Sequence, residues 1–221
     1  MRVSLAYNTV NPLLLSTLKD IMSESLFNDY ILVGGTALSL RLGHRVSADI
    51  DLFTEKNYGS IDYDRFEAYF DQKYSYKHRP DVSNIVAMGR SFYVGQPPKE
   101  SVKVDLYYTD AFIRPYCMIE NIRLASLDDI VAMKVDVIQR KGRKKDFWDL
   151  HELLDRYPIE KMLELHEERY PYTHSKETII NNFTDFDRAD DDFDPICFQG
   201  KFWEVIKIDF CDEVSKYRLL S

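Results

Sequence analysis

The chain has 221 residues, 45% hydrophobic and 14% aromatic, enough to bury a core as one compact unit or two small lobes and too apolar for a disordered chain. A net charge of −8 argues against broad, non-specific nucleic-acid binding, although a local basic patch remains open. Cys117, Cys197 and Cys211 are odd in number and widely spaced, no run approaches membrane-spanning length, and the first residues lack a signal-peptide pattern; a reducing, cytoplasmic setting with no membrane association is the expectation.

Asn11-Pro12 is a good helix start, and Leu14, Leu18, Ile21, Met22 and Leu26 follow at helical spacing, so residues 11–27 are predicted helical. Tyr30-Ile31-Leu32-Val33 is an apolar strand that stops at Gly34-Gly35. Thr36 to Leu42 resumes helical spacing, and a second apolar run then carries Asp49 and Asp51. Residues 57–60 read as a turn and Asp62–Tyr74 as a helix. Residues 84–95 and 101–108 read as strands around a Gly95-Gln96-Pro97-Pro98 loop.

Ser126-Leu127-Asp128-Asp129 has the form of a helix N-cap. Helices are predicted at about 126–140, 143–156, 158–169, 174–182 and 200–217, interrupted at 185–194 by six aspartates in ten residues, which read as a solvated loop. The change of lobe is placed near residue 120. The expectation is an α+β protein: residues 1–120 a mixed sheet with helices, residues 121–221 a helical lobe closing one side of a cleft.

The chemistry follows from side-chain periodicity. Strand side chains repeat every two residues, so Asp49 and Asp51 share a face. Two carboxylates held close repel unless a cation sits between them, and hard oxygen donors suit Mg²⁺ or Mn²⁺, which often bridge to substrate phosphates. Gly34 and Gly35 permit a tight turn, and the helix beginning there, with Thr36, offers N–H groups to a phosphate. Val102-Lys103-Val104-Asp105-Leu106 alternates, with Lys103, Asp105 and Tyr107 opposite the apolar face. Asp105 becomes a third metal ligand and the base if its strand lies beside that of Asp49 and Asp51.

The pattern of two glycines, a spacer of thirteen and Asp-apolar-Asp-apolar resembles the nucleotidyltransferase superfamily of the DNA polymerase beta type. The fuller string from Gly34 to Phe53 looks like the AbiEii/AbiGii toxin family. A second block agrees, Lys134 followed by Arg143-Lys144-Lys145-Asp146-Phe147-Trp148-Asp149-Leu150, although Lys145 stands as an extra residue before Asp146. The resemblance spans roughly residues 30–155.

It implies transfer of a nucleoside monophosphate from an NTP to an acceptor hydroxyl. Asp49, Asp51, Asp105 and Lys134 would be catalytic, and Gly34, Gly35, Thr36, Arg45, Lys134 and Asp146 would contact the nucleotide. It also implies a toxin with a cognate antitoxin and an RNA acceptor such as tRNA, which the basic run 140–145 could contact. His44 and Asp149 read as structural. Transfer to a small molecule, and nucleotide binding without turnover, stay open as alternatives.

Overall fold

The computed structural model describes residues 4–74, 76–78, 88–96 and 100–220. The chain divides into two compact units, Met1–Gly43 with Ser47–Ala125, and His44–Val46 with Ser126–Ser221.

The first unit is built on a seven-stranded mixed sheet. Its strands are β1 (Ile31–Leu32), β2 (Asp49–Thr54), β3 (Tyr76–His78), β4 (Gly89–Gln96), β5 (Glu100–Tyr108), β6 (Cys117–Ile119) and β7 (Ile122–Leu124). Their order is β3-β4-β5-β2-β1-β7-β6. β2 lies parallel to β5 and antiparallel to β1. One face is apolar: Ile50, Leu52, Phe92, Val94, Val102, Val104 and Leu106 are buried there.

Helix α1 (Pro12–Ser23) starts where Asn11 Oδ1 accepts the Leu14 N–H, and it buries Leu14, Leu18, Ile21 and Met22. Helix α3 (Tyr63–Lys73) brings Phe66 and Phe70 against Phe27 and Phe92, with ring centroids 4.8–5.9 Å apart. Helix α2 (Gly34–Leu42) leaves β1 and ends at Gly43, whose φ of +67° closes the helix in the left-handed region.

The predicted strand at 84–95 is seen from Gly89 onward. Residues 84–87, and Pro97 and Pro98 of the predicted loop, lie outside the described residues. The β6–β7 hairpin was not anticipated. Its two-residue turn, Glu120-Asn121, holds both φ values positive, 49° and 65°, as a tight hairpin requires. A lobe change at residue 120 would fall in this turn, whereas the first unit continues through β7 to Ala125.

The second unit is helical. It comprises α4 (Leu127–Gln139), α5 (Lys144–His151), α6 (Ile159–Arg169), α7 (Lys176–Asn182), α8 (Asp187–Asp190) and α9 (Trp203–Leu220). Ser126 caps α4 through Asp129 N–H, and the buried Asp129 carboxylate pairs with Arg169 of α6 at 2.8 Å. Helix α5 stops at His151, short of the predicted 156. Among the described residues no helix is long and apolar enough to cross a membrane.

The acidic stretch 185–194 is largely exposed, as expected, but it is not a plain loop: it contains α8, and several of its carboxylates have fixed partners. Asp190 accepts from Trp203 Nε1 and Lys207, Asp192 accepts the Lys144 N–H, and Asp194 pairs with Lys144 Nζ at 2.9 Å. Residues 44–46 join this unit by pairing with 196–198: Val46 N–H donates to Ile196 O and Phe198 N–H to His44 O.

Arg123 of β7 is 6% exposed, and its guanidinium donates to the carbonyls of Tyr30, Met22 and Phe27. It thereby supplies partners for backbone acceptors left at the end of α1 and before β1. Arg123→Ala would strand buried acceptors, so urea unfolding should show a loss of about 3 kcal/mol; a loss under about 0.5 kcal/mol would make these bonds incidental.

Candidate active site

The register of β2 on β5 sets Asp51 opposite Asp105 and Asp49 opposite Lys103. β4 extends both rungs, with Ser91 beside Asp105 and Tyr93 beside Lys103. All six side chains stand on the face away from the apolar core, and each is half-buried. The adjacency of Asp105 to the β2 aspartates therefore follows from the strand order β5-β2, which alternation in the sequence could suggest but not establish.

Asp105 is held by two donors. Ser91 Oγ donates to one carboxylate oxygen and Lys103 Nζ to the other, each at 2.6 Å. Burial opposes the Lys103 charge, but the Asp105 hydrogen bond and the charges of Asp105 and Asp51 outweigh it and hold that ammonium above the usual lysine range. Lys103 thus offsets part of the repulsion between neighbouring carboxylates. Its position two residues before Asp105 was visible in the alternation. Ser91 had no signal in the sequence beyond lying in a strand.

Gly34 opens α2 with φ +68°, and a Cβ there would stand 2.5 Å from Asp51 Oδ2. A side chain is excluded twice, by conformation and by the carboxylate packed on the backbone. Val33 N–H donates to the Asp51 carbonyl at 2.9 Å, which ties the entry of α2 to β2. The first amides of α2, those of Gly34, Gly35 and Thr36, have no partner within the helix and sit at its positive end. The Thr36 hydroxyl itself is fully buried and bonds Ser47 Oγ and the Asp49 carbonyl, so Thr36 can offer a phosphate only its backbone.

Among the described residues no three His, Cys, Asp or Glu side chains are gathered into a metal-binding group. The three aspartates expected as joint ligands are a row on two strands, with Asp105 committed to Lys103 and Ser91. As two hard oxygen donors on one face, Asp49 and Asp51 are chemically suited to a divalent cation such as Mg²⁺.

The other predicted residues belong to the helical unit, and they converge on Asp149. Arg45 meets the Asp149 carboxylate with two donors, Nε at 2.6 Å and Nη2 at 2.7 Å. Lys134 Nζ lies 2.6 Å from both Asp149 Oδ2 and Asp146 Oδ1, and His44 Nε2 lies 2.8 Å from Asp149 Oδ1. Asp146 Oδ2 also accepts the Arg143 N–H that starts α5. Burial would push the Asp149 carboxyl up. The charges of Lys134 and Arg45, with hydrogen bonds from His44 and Arg45, outweigh it and hold Asp149 well below the usual carboxylate range. For Lys134, burial is likewise outweighed by Asp146 and Asp149, and its pKa is raised.

Two cations and two carboxylates balance in this interior cluster. Arg45, 3% exposed, spends its fork on Asp149 rather than on a phosphate, and Lys134, 6% exposed, is spent on two aspartates. In the basic run Arg140, Lys141 and Lys144 pair with Asp136, Asp185 and Asp194, while Arg140, Lys141 and Arg143 stay exposed.

Residues 16–199 match the family model described as nucleotidyl transferase AbiEii toxin, type IV TA system. An uncharacterized protein of Aquifex aeolicus (strain VF5) is 26% identical over 216 residues, covering 90% of this chain and 93% of that one. Among solved structures, the nucleotidyltransferase toxin MenT4 of Mycobacterium tuberculosis H37Rv superposes with a TM-score of 0.59 at 14% identity, covering 91% of this chain and 83% of MenT4. JHP933 of Helicobacter pylori superposes with a TM-score of 0.56 at 18% identity, covering 95% and 90%. These likenesses place the fold with nucleotidyltransferases.

Asp149→Asn should cost about 3–5 kcal/mol near neutral pH by leaving buried cations short of a partner. The folded pKa of Asp149 is depressed, so its contribution is full above about pH 3.9, the unfolded value, and is lost as pH falls through the lower folded one. Urea unfolding of wild type and variant should therefore differ by a constant amount from pH 5 to about 8 and converge only below about pH 4. Convergence between pH 7 and 5 would contradict the cluster as described.

Proposed function

The chain belongs to the AbiEii nucleotidyltransferase toxin family, and on that footing we propose that it transfers a nucleoside monophosphate from an NTP to a hydroxyl of an RNA acceptor, with tRNA the acceptor the family suggests. The observation that carries this is the rung Asp51–Asp105, set beside the glycine-opened N-terminus of α2. Family membership brings an NTP substrate and a cognate antitoxin into the proposal.

In this mechanism Asp49 and Asp51 would hold Mg²⁺ or Mn²⁺, and the ion would offset phosphate charge and polarise the phosphoryl group. The amides of Gly34, Gly35 and Thr36 receive a phosphate oxygen at the positive end of α2. Asp105 takes the acceptor's proton as its oxygen attacks the α-phosphorus, and the bond to the β-phosphate breaks to release pyrophosphate. Ser91 and Lys103 each hold one Asp105 oxygen and so fix the direction of its remaining lone pairs.

Lys134 and Asp146 serve here through the buried cluster. A direct phosphate contact by Lys134 would require it to leave two carboxylates in the interior. The pairing of Arg140, Lys141 and Lys144 with carboxylates favours a second reading, transfer to a small molecule, because it lowers the positive charge there for an RNA backbone.

Incubation with each labelled NTP, Mg²⁺ and either total RNA or a pool of small hydroxyl compounds separates the two. Label should enter RNA. Asp51→Asn, folded as judged by circular dichroism, should abolish transfer; unchanged transfer would sink the mechanism. Asp105→Asn should keep most Mg·NTP affinity by calorimetry yet lose transfer by about 10²-fold or more. Retained transfer by Asp105→Asn would remove it as the base.

A further inference from the structure

The rung next to Asp51–Asp105 is aromatic. β2 and β5 continue in register to pair Phe53 with Tyr107, and β4 completes the rung with Gly89. Both rings are half-buried and lie on the aspartate face, with centroids 6.1 Å apart and planes inclined by 42°. Gly89 leaves no room for a side chain beside Tyr107: a Cβ there would meet the Leu106 carbonyl oxygen, Tyr107 Cγ at 2.6 Å and Tyr107 Cα at 2.7 Å. The Tyr107 hydroxyl lies 3.3 Å from Ser91 Oγ, which in turn donates to Asp105. The ring and the carboxylate are thus joined through one serine.

We infer that Phe53 and Tyr107 form a stacking platform for the base of the acceptor's terminal nucleoside; this rests on the nucleotidyl-transfer reading and names what it recognises. Two residues along a strand span about 6.6 Å, close to the distance from a ribose hydroxyl to the centre of its own base. A hydroxyl placed at Asp105 would therefore bring its base over the next rung. The side of the sheet selects acceptor over NTP. Gly34, where phosphates would sit, approaches Asp51 from the β1 side of β2, whereas Tyr107 and Gly89 lie on the β5 and β4 side with Asp105. Stacking also suits a chain with a net charge of −8, since a base face is recognised without phosphate charge.

The test uses the full-length protein, Mg²⁺ and a non-hydrolysable NTP analogue. Fluorescence anisotropy would compare a short 5′-labelled single-stranded RNA ending in adenosine with the same RNA ending in an abasic ribose that keeps its hydroxyls. The intact end should bind about tenfold more tightly, Tyr107→Leu should erase that difference, and Tyr107→Phe should keep it within about twofold. Calorimetry of Mg·NTP binding is run alongside. If wild type binds Mg·NTP but holds both RNAs alike, or binds neither RNA, the platform is overturned while nucleotidyl transfer to another acceptor stands. Persistence of the difference in folded Tyr107→Leu also overturns it. Failure to bind Mg·NTP, with the RNA difference and its loss in Tyr107→Leu intact, would support the platform and sink the transfer reading.

Discussion

Like charges directly opposite on paired strands destabilise a sheet, yet β2 and β5 pair Asp51 with Asp105 across their parallel ladder. The surrounding structure is arranged to tolerate that repulsion. Lys103 and Ser91 each hold an oxygen of Asp105, and the backbone of Gly34 closes on Asp51 at the positive end of α2. Val33 fastens the start of that helix to the Asp51 carbonyl, so the helix end and the carboxylate are positioned by one contact. The apolar alternation of Ile50, Leu52, Val104 and Leu106 then locks the register, because a one-residue slip would bury the carboxylates and expose the core. Charge strain at the site is thus maintained by burial on the opposite face.

The helical unit handles its buried charges differently. Asp149 is fully enclosed, and three side chains from two distant parts of the chain converge on it. Together with Asp146 it balances the charges of Arg45 and Lys134. The sheet site is half-buried and sets Asp49, Asp51 and Asp105 beside Lys103. A charge-balanced interior network suits architecture, and a row of carboxylates on a half-buried face suits a cationic ligand.

Much of the sheet was legible because its signals are local. Two-residue alternation identified β2 and β5, Asn11-Pro12 marked the start of α1, and Ser126 marked α4. The Gly34-Gly35 break and the Asp49/Asp51 pair were likewise readable in one short string. What was not legible depends on partners far along the chain. Arg45 reads as a phosphate contact near Asp49 and Asp51, and only the fold reveals Asp149 as its counterion. The acidic stretch reads as a plain loop because Lys144 and Trp203, the partners of Asp194 and Asp190, lie on other elements. The Glu120-Asn121 turn lacks glycine, the usual mark of two consecutive left-handed residues.

The separation of Arg45 from Asp149 also bears on synthesis. Their bidentate contact spans 104 residues, so Arg45 leaves the ribosome long before its counterion is made. At about 5–20 residues per second the interval is roughly 5–20 s. The sheet strands of the first unit emerge within that wait, whereas α5, α9 and the 196–198 segment follow later. A nascent chain can therefore assemble its sheet while residues 44–46 still lack their permanent neighbours. The helical unit, by contrast, cannot be completed from its own downstream sequence: a fragment beginning at Ser126 would carry Asp149 without Arg45 or His44.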